Sequence, residues 1–118
     1  MEANDKTDKI TYAPFILMDG KYRSLFLTDM EMEKKVHIFD ERSDEGWTGG
    51  GYDWNSLAQV IVDEQLSDLK PELSFDPEAG TFSASGPREA LERLGKAMCA
   101  VFHNDDSIRD LLTRAKLD

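Results

Sequence analysis

Cysteine is almost missing from this 118-residue chain. Cys99 stands alone, so no disulfide framework can form within one chain. It falls in the apolar helical run Ala97-Met98-Cys99-Ala100-Val101-Phe102, where a thiol is expected to be a small buried hydrophobe rather than a nucleophile. Histidine is nearly as scarce. His37 and His103 do not combine with Cys99 at metal-ligand spacing, which argues against zinc, and no Asp-x-Asp-x-Asp-Gly loop marks calcium. No long apolar span is present, and Met1-Glu2-Ala3-Asn4-Asp5-Lys6 lacks the charged-then-apolar order of a signal peptide, so a cytoplasmic location is expected. Bases are also few: 14 Lys and Arg face 24 Asp and Glu, a formal net charge of -10. Such a field repels nucleic acid and anionic lipid and favours encounter with a basic partner.

The rest of the composition is that of a folded protein, with 40% hydrophobic and 32% charged residues. The length fits one domain over residues 1–118, of which the polar first nine are expected to be flexible. Its organising stretch is Trp47-Thr48-Gly49-Gly50-Gly51-Tyr52-Asp53-Trp54, a glycine turn between two tryptophans. Three consecutive glycines permit positive φ and close backbone approach. Trp47, Gly51, Tyr52, Asp53 and Trp54 therefore read as a structural motif. Asp53 is expected to be the N-cap of a helix from about Trp54 to about Leu69, accepting from the N–H of Asn55 or Ser56. Leu57, Ala58, Ile61 and Val62 follow Trp54 along one helical face, and Pro71 marks the end.

Upstream, Ile10 to Met18 reads as an edge strand because Pro14 interrupts it. Asp19-Gly20 signals a hairpin, Tyr22 to Thr28 a second strand, and Val36-His37-Ile38-Phe39 a short third strand after a charged segment. Downstream, Leu73-Ser74-Phe75 and Thr81-Phe82-Ser83-Ala84 flank Asp76-Pro77-Glu78-Ala79-Gly80 as a second hairpin. Pro87 at a first-turn position opens a second helix with Leu91, Leu94, Met98, Val101 and Phe102 on one face. Asn104-Asp105-Asp106 can cap a third, carrying Ile108, Leu111, Leu112 and Ala115. The order predicts an α+β fold: an antiparallel sheet of about five strands, a three-strand meander plus a hairpin, with about three helices packed on one face.

A glycine turn before a helix can hold phosphate on its free N–H groups. This one lacks the lysine and Ser/Thr of a P-loop and the dinucleotide spacing, and Asp53 puts a negative charge where the anion would sit. No catalytic constellation and no cofactor motif emerges, which leaves recognition. The acids Asp29, Glu31, Glu33, Asp40, Glu41, Asp44, Glu45, Asp63, Glu64 and Asp68 fall in loops or on polar helix positions, where they can steer a basic partner.

Tyr12-Ala13-Pro14-Phe15, Gly51-Tyr52-Asp53-Trp54 with Ser56-Leu57-Ala58, Phe75-Asp76-Pro77-Glu78-Ala79 with Phe82, and the closing Ala115-Lys116-Leu117-Asp118 carry a resemblance. From about residue 12 onward the chain resembles immunity protein family fifty-one of bacterial polymorphic toxin systems. Gly-Tyr-Asp-Trp is the most specific block; the run of three glycines departs from the pattern, where a bulkier polar residue is expected. The resemblance implies a non-enzymatic cytoplasmic protein that binds a cognate toxin domain and blocks it. It brings no catalytic residues, and the shared motif is expected to define the fold rather than the interface. Joined to the charge, this points to inhibition of a basic toxin such as a nuclease, with Asp40, Glu41, Asp44 and Glu45 as the first candidates for contact and Asp63, Glu64 and Asp68 as the next. The competing expectations are a small anion- or nucleotide-binding domain using Gly49 to Gly51, and a non-enzymatic adaptor.

Overall fold

Ser24-Leu25-Phe26-Leu27-Thr28 and Thr81-Phe82-Ser83-Ala84-Ser85 both alternate large apolar or small residues with polar ones, apart from Phe26. In the computed structural model, which describes residues 12–18 and 23–117, this alternation puts Leu25, Leu27, Phe82 and Ala84 on the buried face of one sheet. The strands are β1 (Ile16–Met18), β2 (Ser24–Thr28), β3 (Ser74–Phe75) and β4 (Thr81–Ser85). They run antiparallel in the order β1-β2-β4-β3. The register lines Leu17, Leu25, Ala84 and Phe75 across all four strands, and pairs Leu27 with Phe82.

Five α-helices are present among the described residues: α1 (Asp29–Met32), α2 (Val36–Asp40), α3 (Gly51–Gln65), α4 (Arg88–Phe102) and α5 (Asp105–Leu112). Among the described residues the sheet thus has four strands rather than five. The missing strand is Val36-His37-Ile38-Phe39, which forms α2 after a 3₁₀ turn at Glu33–Lys35. Four apolar-looking residues fit either period. Burial decides for the helix, since the adjacent Ile38 and Phe39 are both fully buried and Met32, seven residues before Phe39, is buried with them. Lys35 fastens the segment from outside: its Nζ lies 2.8 Å from Asp105 of α5 and 5.1 Å from the Phe102 ring centroid.

The second hairpin is as expected, with Asp76 N–H donating to Ser83 O at 2.9 Å and reciprocal Glu78–Thr81 bonds at 2.8 and 3.1 Å. The first strand is shorter than expected, because Tyr12 to Phe15 turn, with Phe15 N–H donating to Tyr12 O at 2.7 Å. Met1 to Thr11, the Asp19-Gly20 turn with Lys21 and Tyr22, and Asp118 lie outside the described residues. Helix α3 starts three residues earlier than expected, and Leu66 separates it from a 3₁₀ segment, Ser67–Glu72, that contains Pro71. Pro87 occupies the position just before α4, and Asn104 caps α5 by accepting from Asp106 N–H and Ser107 N–H at 3.1 and 3.3 Å.

Between sheet and helices, Trp54 is the centre of the core. Its ring meets Phe39 at 5.5 Å, Phe102 at 5.6 Å and Phe15 edge-on at 6.3 Å. The predicted faces of α3 and α4 line this interior: Leu57, Ala58, Ile61, Val62, Leu91, Leu94, Met98, Val101 and Phe102 are all buried. Ile108, Leu111 and Leu112 complete it from α5.

Candidate functional site

The glycine turn is built around the Asp53 carboxylate. Asp53 is not the N-cap: that position is Gly50, and Asp53 lies in the first turn of α3, 5% exposed. Its Oδ2 reaches back along the chain to accept N–H bonds from Thr48 and Gly49, each at 2.7 Å, with the Thr48 hydroxyl at 3.4 Å. Two amides that approach the helix N-terminus are thus satisfied by one buried charge, which also lies at the positive end of the helix dipole. Gly49 sits at φ 90°, in the left-handed region open chiefly to glycine.

Gly51 has a different requirement. Its N–H donates to Ala79 O at 2.9 Å, and a Cβ built on it would collide with the backbone carbonyl oxygens of Glu78 and Thr81. The turn therefore seats directly on the backbone of the β3–β4 hairpin. With the amides of Thr48, Gly49 and Gly51 engaged and Asp53 filling the concavity, an anion at Gly49 to Gly51 would have to displace a carboxylate. Trp47 and Trp54 are buried on either side, whereas Tyr52 is 47% exposed.

The acids expected at the surface are there, but they do not form one cluster. Glu41 receives a double hydrogen bond from Arg109 of α5, at 3.0 Å from Nε and 3.0 Å from Nη2, and Arg109 also holds Asp106 at 2.9 Å. Glu64 is gripped in the same way by Arg114, at 2.6 and 3.0 Å, and Arg114 also pairs with Asp110. Glu45 accepts from Arg42 at 3.0 Å and from the Trp47 indole at 3.3 Å. Asp40 and Asp44 are exposed and have no ion pair among the described residues. Of Asp40, Glu41, Asp44 and Glu45, the structure therefore joins Glu41 to α5, whose Asp105 and Asp106 the sequence offers only as capping residues and whose Asp110 it does not mark. Their signal was present: three acids at helix positions separated by one, four and five residues. Asp63 and Asp68 belong elsewhere, Asp63 with Lys70 at 2.7 Å and Asp68 with Arg93 of α4 at 2.7 Å.

The electrostatics follow these pairs. The Arg109 guanidinium hydrogen-bonded to Glu41 holds that carboxyl below the ordinary range, and Arg93 and Lys35 do the same to Asp68 and Asp105. The carboxylates in turn raise Arg109, Arg93 and Arg114, chiefly by accepting the hydrogen bonds these guanidiniums donate to Glu41, Asp68 and Glu64. All these groups are charged at neutral pH.

The remaining reactive side chains are occupied structurally. Cys99 is half-buried rather than buried; its thiol lies 3.2 Å from Ala13 O, and burial pushes its pKa up, away from a nucleophile's. His103 Nε2 is 2.8 Å from the same carbonyl. His37 is exposed on α2 rather than placed in a strand. Among the described residues no group of three or more His, Cys, Asp or Glu is arranged to hold a metal ion, and no helix is long and apolar enough to cross a membrane.

Comparison with curated proteins and with solved structures gives no match. Comparison with protein families does: the family described as immunity protein 51 matches residues 15–117, nearly the whole chain and every element of the fold described above. A match of that extent places the chain, with its glycine turn seated on the hairpin, in the immunity protein 51 family.

Proposed function

We propose that the protein binds and neutralises a cognate bacterial toxin domain in the cytoplasm, that the toxin presents a basic surface, as a nuclease does, and that inhibition works by covering its active surface. The observation that carries this reading is the family match over residues 15–117 in a chain whose net charge is -10. The charge supplies the mechanism of encounter. Exposed carboxylates steer a cationic partner and raise its association rate, an effect that fades as salt screens it.

Asp40 and Asp44 are the acids best suited to this, because they have no base of their own among the described residues. Glu41 and Glu45 flank them, and Asp106 beside them is 90% exposed on its side chain. A partner's guanidinium or ammonium groups can join these carboxylates without first breaking a buried pair. The test is co-expression with the toxic C-terminal domain encoded immediately upstream, scoring growth and then co-purification. Protection with a stable complex is expected; no protection and no complex would remove the reading. Replacing Asp40, Glu41, Asp44 and Glu45 together by their amides should slow association by about tenfold at low salt and flatten its salt dependence. Unchanged association would move the interface towards Asp63, Glu64 and Asp68.

A further inference from the structure

The motif Gly51-Tyr52-Asp53-Trp54 contains three residues whose identity the fold consumes and one whose identity it does not. Gly51 has no room for a side chain, Asp53 satisfies the turn amides, and Trp54 fills the centre of the core. Tyr52 is 47% exposed, and among the described residues its ring stacks on no aromatic and its hydroxyl has no hydrogen bond. A large amphipathic side chain without a structural duty, on an immobilised backbone, is well suited to anchor a partner. It offers area at a small entropic cost, because its platform is already fixed.

That platform is the seam between turn and hairpin. Gly51 N–H is bonded to Ala79 O, and the hairpin end is closed by the two Glu78–Thr81 bonds. The start of α1 adjoins it: the Asp29 Cβ lies 3.9 Å from where a Cβ on Gly80 would be, and the next residue, Met30, is 74% exposed. The surrounding charge is mostly acidic, and Lys34, the base nearest Met30 along the chain, is paired with Glu31 at 2.9 Å. Residues 24–33, 43–69 and 71–87 contain no Lys or Arg, whereas Asp29, Asp76 and Glu78 are exposed beside the seam without an ion pair among the described residues.

We propose that Tyr52, supported by Met30 and the Glu78–Gly80 hairpin end, is the apolar anchor that holds a basic toxin domain, its ring entering a pocket rimmed by the partner's cations. This rests on the immunity reading and adds to it the place where binding energy is concentrated. The two surfaces have different kinetic roles: acids such as Asp40 and Asp44 govern how fast the partner arrives, and Tyr52 governs how slowly it leaves.

The experiment uses the full chain and the toxin domain encoded beside its gene, with association and dissociation rates followed for wild type, Tyr52→Ala, Tyr52→Arg, Met30→Ala and Met18→Ala. Thermal melting of each variant reports folding. Tyr52→Ala should dissociate about 30-fold faster or more, with association within about twofold of wild type. Tyr52→Arg, which sets like charge against a basic partner, should lose more. Met30→Ala should dissociate about fivefold faster, and Met18→Ala on the β1 edge should match wild type. If wild type neutralises the toxin and folded Tyr52→Ala and Tyr52→Arg both dissociate at its rate, the anchor is elsewhere and the immunity reading stands. If wild type neither binds nor protects, both fall together.

Discussion

The turn–hairpin seam and the acidic face of α2 and α5 both depend on carboxylates, yet they use them in opposite ways. In the seam, Asp53 is buried and accepts from two backbone amides at 2.7 Å, groups that cannot move without unseating α3. On the face, Glu41 and Asp106 hold Arg109 at comparable distances, but these side chains are 43–90% exposed and water can replace each of them. A charge bonded to buried backbone fixes the fold. An ion pair in water contributes little to it, and so remains available for recognition.

Substitutions can break this contrast, and the largest effect should come from the smallest change. Gly51→Ala drives a methyl group into the Glu78 and Thr81 carbonyls, where both partners are backbone, and should destabilise by about 4 kcal/mol or more in chemical denaturation. A variant melting like wild type would mean that the seam yields. Asp53→Ala should cost about 2–3 kcal/mol, since it leaves the Thr48 and Gly49 amides without their acceptor. Glu41→Gln, by contrast, should shift the melting temperature by no more than about 2 °C at neutral pH. A larger shift would give the face a structural role.

Acid sharpens the same point. Glu41, Asp68 and Asp105 have folded-state values lowered from the ordinary 4.5, 3.8 and 3.8, so each contributes stability above its ordinary value and loses it as pH falls through the lowered one. The melting temperature should hold from neutrality to about pH 5 and then decline. Glu41→Gln should decline less over that acid range than wild type, and parallel curves would argue that Arg109 gives Glu41 no stabilising bond.

What the sequence revealed follows from the range of the signals. The apolar faces of α3 and α4 and the Asn104 cap are local patterns, and Leu57, Leu91 and Asn104 are where those patterns put them. Val36 to Phe39 misled because four residues do not define a period; the helix is decided by packing of Ile38 and Phe39 against a core assembled from distant residues. Asp53 was recognised as a capping group, but its partners precede the helix, which the spacing of acids and glycines does not reveal. The acids were visible individually. That Arg109 would gather Glu41 and Asp106, while Arg93 drew Asp68 to α4, depends on tertiary contacts across 68 and 25 residues of chain.

The bond from Gly51 to Ala79 also bears on how the protein comes into being. A helix start that must rest on a hairpin made later in the chain cannot mature alone: until Ala79 exists the turn has no seat, and until Phe102 exists Trp54 lacks one of its aromatic walls. The Lys35–Asp105 and Glu41–Arg109 links run the same way, from early segments to the last helix. These links tie early segments to late ones, so folding is expected to be one cooperative event, and a chain cut before them is expected to be unfolded rather than partly folded.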